Sequence, residues 1–173
     1  MRHGHAPQHV VTRILPGEES ELEAVDAIVR ACFTENAFSV REELGRPWAR
    51  VWAARPAEGT EAASFLVAWH VADELHVLNV ATAPSLRRCG LARALMDEAL
   101  AYAASERVRV LLLEVRRSNR AAIKLYRGLG FTALRVRVGY YEDNGEDAVE
   151  MILALDPEGG GVVPGQDEIR IDG

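Results

Sequence analysis

The sequence predicts an α/β fold, a mixed and mostly antiparallel central sheet flanked by helices. Three observations predict it. Residues 49–54, 64–72 and 74–81 are short strand-like runs with only brief turns between them, as antiparallel neighbours have. From residue 84 onward, helical and strand patterns alternate. Hydrophobic residues make up 49% of the 173, enough for a core without metals or disulfides.

The elements follow in order. Residues 10–15 are rich in β-branched side chains and stop at Pro16-Gly17, which makes a first strand. Residues 18–33 place Leu22, Val25, Ile28 and Val29 at helical spacing, with acids in the first turn. Residues 36–44 form a second, short helix that ends at Gly45 with Pro47 beyond. The three strand runs come next, the first two joined by Pro56-Ala57-Glu58-Gly59. Residues 84–90 are a loop, and 91–105 a helix with Leu91, Leu95, Ala99 and Tyr102 on one stripe. Residues 108–115 are a buried strand, and 119–129 a helix stopped by Gly130. Residues 131–141 and 148–155 close the sheet as a hairpin.

Residues 10–155 thus form a single domain. Residues 1–9 are a flexible N-terminus. Residues 156–173 hold Gly159-Gly160-Gly161 and Pro164-Gly165 with few large apolar side chains, so a disordered or loosely attached tail is expected. The 20 basic and 26 acidic residues give a net charge of −6. That balance opposes a nucleic-acid partner and a polybasic membrane contact. The 27% charged residues beside the hydrophobic half oppose wholesale disorder. Cys32 and Cys89 build no disulfide framework and no CxxC site. No signal peptide opens the chain and no apolar run is long enough to span a bilayer, so a cytoplasmic protein is expected. His3, His5 and His9 read as part of a solvated terminus, because no carboxylate or cysteine nearby completes a ligand set, and no metal is expected.

The sharpest feature lies between residues 78 and 93. Leu78-Asn79-Val80-Ala81-Thr82-Ala83-Pro84 leads into Arg87-Arg88-Cys89-Gly90-Leu91-Ala92-Arg93, a basic turn that opens a helix. Such a helix start offers unpaired N–H groups and the positive end of the dipole, which suits a phosphate. Gly90 and Ala92 keep the backbone approach clear, and the arginines add charge. A dinucleotide turn needs three glycines, yet Ala92 takes the second place and Leu95 the third. A P-loop needs a Gly-Lys-Ser/Thr that is missing. The pyrophosphate loop of acyl-coenzyme A enzymes, Gln/Arg-x-x-Gly-x-Gly/Ala, is met by Arg87, Gly90 and Ala92. An ordinary strand–helix turn also accounts for these residues alone.

Glu114 interrupts the apolar run Val110-Leu111-Leu112-Leu113-Glu114-Val115. A carboxylate there is costly to bury unless it is paired or working. It is either a core glutamate bound to a backbone N–H or to Arg116, or a proton acceptor. Tyr126 sits at helical spacing with Ile123 and Leu129, as a core aromatic would. Asn119, seven residues earlier and on the same face, reads as a helix N-cap.

The string Leu113-Glu114-Val115-Arg116-x-Ser118-Asn119-x-x-Ala122-Ile123-x-Leu125-Tyr126-x-x-Leu129-Gly130-Phe131, with the preceding loop, resembles the GNAT superfamily of N-acetyltransferases. The resemblance runs over residues 10–155 and is strongest over 78–151. Asn79 before Thr82, Tyr140-Tyr141 and Glu146-Asp147-Ala148-x-x-Met151 resemble its RimI-like branch, which acetylates the N-terminal alanine of a small-subunit ribosomal protein. The resemblance implies a sheet splayed at its central strands and acetyl-CoA as co-substrate. It implies direct attack, in a ternary complex, by the N-terminal α-amino group of a protein or peptide. Glu114 is then the proton acceptor, directly or through a water, and Tyr126 protonates the departing thiolate. Backbone groups of Val80, Ala81 and Thr82 hold the acetyl and pantetheine portions. Arg88, Cys89, Gly90, Leu91, Ala92 and Arg93 hold the pyrophosphate, and Asn119 contacts the coenzyme. Cys89 serves through its backbone and is no nucleophile.

The pattern is departed from at Arg87, where glutamine is commoner, and at Thr82, where the family has an apolar residue. Cys32-Phe33 replaces Pro-Trp beside the acceptor groove. That last change leaves a lysine or a small-molecule amine open as acceptor. A non-catalytic acyl-coenzyme A binding module is the rival from another class. Glu35, Glu42 and Glu43, expected near the acceptor side, would suit a basic ribosomal protein.

Overall fold

The computed structural model describes residues 8–33 and 38–171. Its sheet contains β1 (His9–Arg13), β2 (Ala49–Pro56), β3 (Ser64–Val71), β4 (Glu74–Thr82), β5 (Val110–Arg116), β6 (Thr132–Tyr141), β7 (Glu146–Leu155) and β8 (Val162–Val163). The strand order is β1-β2-β3-β4-β5-β7-β6, with β8 paired to β7. The β4–β5 pair is parallel, while β1–β2, β2–β3, β5–β7, β6–β7 and β7–β8 are antiparallel. The helices are α1 (Glu19–Cys32), α2 (Val40–Leu44), α3 (Leu91–Ser105) and α4 (Arg120–Leu129). This is the mixed α/β fold with a mostly antiparallel sheet that the sequence predicts. The expected start of the second helix at Asn36 lies outside the described residues.

The chain divides into two compact units. One comprises the chain up to Trp69 together with Asn79–Ala99; the other comprises His70–Leu78 and the chain from Leu100 on. In the first unit, α1 buries Leu22, Val25, Ile28 and Val29 against Val51, Phe65 and Val67 of β2 and β3. Glu19 and Glu21 at its start and Arg30 at its end follow the helix dipole. Ser39 caps α2 by accepting from the Glu42 N–H. Phe33, Phe38 and Phe65 pack in series, the first pair edge-on at 5.5 Å and the second tilted at 6.0 Å between centroids.

In the second unit, β5 alternates, with Leu111, Leu113 and Val115 buried and Val110, Leu112, Glu114 and Arg116 half-buried. The N-cap of α4 is Asn119, whose side chain accepts from the Ala122 N–H at 3.1 Å. Gly130 closes α4 at φ +105°, with Gly130 N–H on Arg127 and Phe131 N–H on Tyr126. A Cβ at Gly130 would lie 2.9 Å from Val162 Cγ1, so close approach adds to the backbone requirement for glycine.

The tail expected to hang loose after Leu155 does not. Val162 and Val163 pair with Leu155 and Ala154. Asp167 accepts the Ala133 N–H at 2.8 Å and binds Arg127 at 2.7 Å, and Glu168 N–H reaches the Ala133 carbonyl. Backbone pairing and one two-handed carboxylate hold this segment. Apolar composition, the signal on which the sequence expectation rested, plays little part.

Candidate functional site

In the first unit, the end of β4 and the loop after it carry Val80, Ala81, Thr82 and residues 88–93. The register of β4 with β5 ends at Val77↔Leu113, and β4 continues to Thr82. Ser64, fully buried, donates its hydroxyl to the Ala81 carbonyl at 2.8 Å. It also lies 2.8 Å from Thr82 Oγ1; with its own proton committed, Ser64 accepts from Thr82 there. The Thr82 carbonyl accepts from the Cys32 thiol at 3.5 Å and from Arg87 Nε at 3.4 Å. Cys32, at the Cys-Phe departure, therefore packs onto this strand end.

Beyond a short 3-10 turn (Pro84–Leu86), Arg88 takes φ +62° and Gly90 φ +83°. Left-handed backbone at a non-glycine residue costs about 1–2 kcal/mol, and such strain gathers at functional loops. His9 Nε2 lies 2.6 Å from the Cys89 carbonyl, so Nε2 donates and β1 is tied to the loop. A Cβ at Gly90 would meet His9 Cε1 at 3.2 Å. Arg88, Cys89 and Gly90 are exposed, and Leu91 is anchored in the core. Ala92 is half-buried, and Arg93 is paired with Asp97 at 3.0 Å. The loop thus offers an exposed arginine, a turn at Gly90 that carries no side chain of its own and has His9 on one side, and the start of a 15-residue helix. These are groups that fit a pyrophosphate.

In the second unit, Glu114, Asn119 and Tyr126 come from β5 and α4. Glu114 Oε1 accepts from Arg137 Nη1 on β6 at 2.9 Å, and its side chain is 28% exposed. The expected partner, Arg116 or a backbone N–H, is not the one found. Arg116 instead binds Asp143 at 2.6 Å and Glu146 at 3.3 Å, and lies 3.8 Å over the Tyr141 ring. Two carboxylates and a ring at the hairpin end offer it more than Glu114, its neighbour on the same face of one strand.

Tyr126 is 8% exposed and packs 5.8 Å from the Phe131 ring. Burial, reinforced by Tyr141, pushes its hydroxyl up to about 12. Tyr141 is also pushed up to about 12, chiefly by burial and against the pull of Arg116. Glu146 accepts the Ser118 N–H at 2.8 Å; its bonds to Ser118, helped by Arg116 and Asn144, hold it down at about 2.

Glu43 accepts from Trp69 Nε1 at 2.8 Å and pairs with Arg46 at 3.4 Å, so it is tied into the first unit. Glu35, His3 and His5 lie outside the described residues. Ser64 and Arg137 were missed by sequence reasoning, and His9, expected in a flexible, solvated terminus, instead lies in β1 and holds the Cys89 carbonyl. Each acts on a partner far along the chain, and no local pattern marks such a pairing.

The profile of the Acetyltransferase (GNAT) family matches residues 22–131. The chain belongs to the GNAT acetyltransferase family. It is 41% identical over 95 residues to the [ribosomal protein bS18]-alanine N-acetyltransferase of Escherichia coli K12, covering 54% of this chain and 64% of that protein. The chain thus spans a little under two thirds of that relative's length. It is 40% identical over 86 residues to the catalytic subunit of the N-terminal acetyltransferase B complex of Schizosaccharomyces pombe, covering 48% of this chain and 46% of that one. The crystal structure of the ribosomal-protein-S18-alanine N-acetyltransferase from Escherichia coli superposes with a TM-score of 0.73 at 29% identity, over 84% of this chain and 93% of that one. No helix among the described residues is long and apolar enough to cross a membrane.

Proposed function

We propose that this GNAT protein transfers acetyl from acetyl-CoA to the N-terminal α-amino group of a protein. The proposed acceptor is the N-terminal alanine of a small-subunit ribosomal protein in the cytoplasm. The observation that carries the reading is the presence, in one compact unit, of a partly exposed carboxylate, Glu114, and a buried phenol, Tyr126. A module that only binds acyl-coenzyme A needs neither. The choice of acceptor draws on one relative named for alanine N-acetylation of a ribosomal protein and one named as the catalytic subunit of an N-terminal acetyltransferase.

The chemistry asks little covalent work of the chain. An α-amino group with an ordinary pKa of about 7.7–8.0 must be neutral to attack. As the nitrogen bonds to the thioester carbon and the C–S bond breaks, Glu114 takes the proton the nitrogen loses, and the Tyr126 hydroxyl donates to sulfur. The two transfers move one proton from nitrogen to Glu114 and one from Tyr126 to sulfur. Glu114 is left protonated and Tyr126 ionised, and proton exchange with water resets both, so the net change is one proton moved from nitrogen to sulfur. A hydroxyl at about 12 rather than 10 is harder to ionise by about 3 kcal/mol. Tyr126 therefore keeps its proton from the pH at which the amine becomes neutral, about 8, up to about 12, and it acts first as a hydrogen-bond donor to the sulfur. Positioning supplies much of the rate: Val80, Ala81 and Thr82 hold the acetyl and pantetheine portions, residues 88–93 the pyrophosphate, and Asn119 a further part of the coenzyme.

A peptide panel tests the acceptor. Acetylation of a peptide with a free N-terminal alanine, and none of an N-terminally blocked peptide bearing lysine, is the expected result. Activity on the blocked lysine peptide with none on the free N-terminus would overturn it.

A further inference from the structure

The element Glu146-Asp147-Ala148 has no step assigned to it above, yet all three residues bear on how Glu114 is held. Arg137 and Glu114 are not on neighbouring strands, because β7 lies between β6 and β5. Strands are spaced about 4.8 Å apart, so the bond from Arg137 to Glu114 crosses about 10 Å of sheet. Only a long side chain can do so, and only over something low.

Ala148 is that low point. It stands opposite Arg137 in the β6–β7 register and opposite Arg116 in the β5–β7 register, and it is fully buried. Two residues along the same face, Glu150 stands directly opposite both Glu114 and Arg135. Two carboxylates facing each other across strands repel, and each has its own guanidinium here. Arg135 binds Glu150 at 2.9 Å, and Arg137 binds Glu114 at 2.9 Å.

The hairpin sets the approach of Arg137. The register of β6 on β7 shifts between Arg137 and Tyr141, where Gly139 takes φ +63° and donates its N–H to Asp147 Oδ1 at 2.9 Å. The Arg137 guanidinium lies 4.3 Å from the centre of the Tyr140 ring. Glu146 ties the same hairpin to Arg116 and to the Ser118 N–H at the start of α4.

We propose that Arg137 is a positioning residue for Glu114, seated by the Glu146-Asp147-Ala148 element. Asp147 fixes the bulge, Ala148 clears the path, and Glu146 anchors the hairpin. The guanidinium pins Oε1, so that Oε2 is presented to the amine in one orientation. This inference rests on the reading of Glu114 as the proton acceptor.

The test compares Arg137→Met, Arg137→Lys and Ala148→Val with the unaltered full chain, in steady-state acetylation of an alanine-terminated peptide and in calorimetric binding of acetyl-CoA. A misaligned base should cost kcat about ten- to a hundredfold. Peptide KM and coenzyme Kd should stay within about twofold, because binding is not what Arg137 serves. Lysine at 137 should restore part of the loss, since a single ammonium can still reach one oxygen. Arg137 is 42% exposed on its side chain, so its replacement leaves the core intact even if Ala148→Val does not fold. Wild-type kcat in Arg137→Met, or a loss confined to KM, overturns the role while the proposed activity stands. An unaltered chain that acetylates no amine overturns the proposed activity and this role with it.

Discussion

On the proposed reading, the chemistry at Glu114 and Tyr126 comes down to two protons and the groups that carry them. Glu114→Gln keeps the shape of the side chain and removes its basicity. It should lower kcat by about 10²–10⁴, the usual worth of a positioned base. Tyr126→Phe keeps the packing on Phe131 and removes only the hydroxyl, so kcat should fall with little change in melting temperature. In both variants calorimetry should find acetyl-CoA bound as tightly as by the unaltered chain. A variant with full kcat would strip its residue of the proposed role. Glu114 was legible in the sequence because a charge that breaks an apolar strand demands a reason. Its partner was not: Arg137 follows 23 residues later across an intervening strand, and only the register of β5, β7 and β6 puts them together. Ser64 under Ala81 and His9 under Cys89 were hidden for the same reason.

At the scale of elements, the signals that could be read were local ones. Asn119 as an N-cap, Gly130 as a helix stop and the alternation along the strands each depend on neighbours within a few residues. Gly130→Ala should cost about 1–2 kcal/mol for the left-handed backbone alone. The 2.9 Å approach of Val162 adds to that, so urea denaturation should show a loss above this range. A loss of only about 1–2 kcal/mol would mean that the close approach of the tail relaxes at no cost. The link between α4 and the β6–β7 hairpin carries a pH signature. Glu146 sits at about 2 when folded, against an ordinary 4.5, because of its bonds to Ser118. A lowered folded value means a stabilising contribution that is complete above about 4.5 and is lost as pH falls toward 2. Denaturant titrations should therefore show stability falling over that window, and Glu146→Gln should show a smaller fall. Equal falls in the two proteins would remove the contribution. The tail was misread because the sequence offers little apolar surface there; its order comes from backbone pairing and from Asp167, neither of which has a compositional sign.

At the scale of the molecule, the net charge of −6 conceals an exposed basic turn at Arg87 and Arg88, with Arg93 partly answered by Asp97. Fold class and family were legible because their signals are dense and contiguous: the strand and helix order, the turn at residues 87–93, and the Glu114–Phe131 string. The acceptor was less so, because the Cys32-Phe33 departure falls in the region the family uses to shape its groove. The departure is now placed, with Cys32 on the Thr82 carbonyl and Phe33 against Phe38. The acceptor is best settled by direct chemistry. The protein should be incubated with acetyl-CoA and the small-subunit ribosomal proteins of its own organism, and the intact masses and N-terminal peptides read. One acetyl group is expected, on the N-terminal alanine of one ribosomal protein, absent when Glu114→Gln replaces the unaltered chain. Acetyl found only on lysine side chains, or on no protein at all, would contradict it.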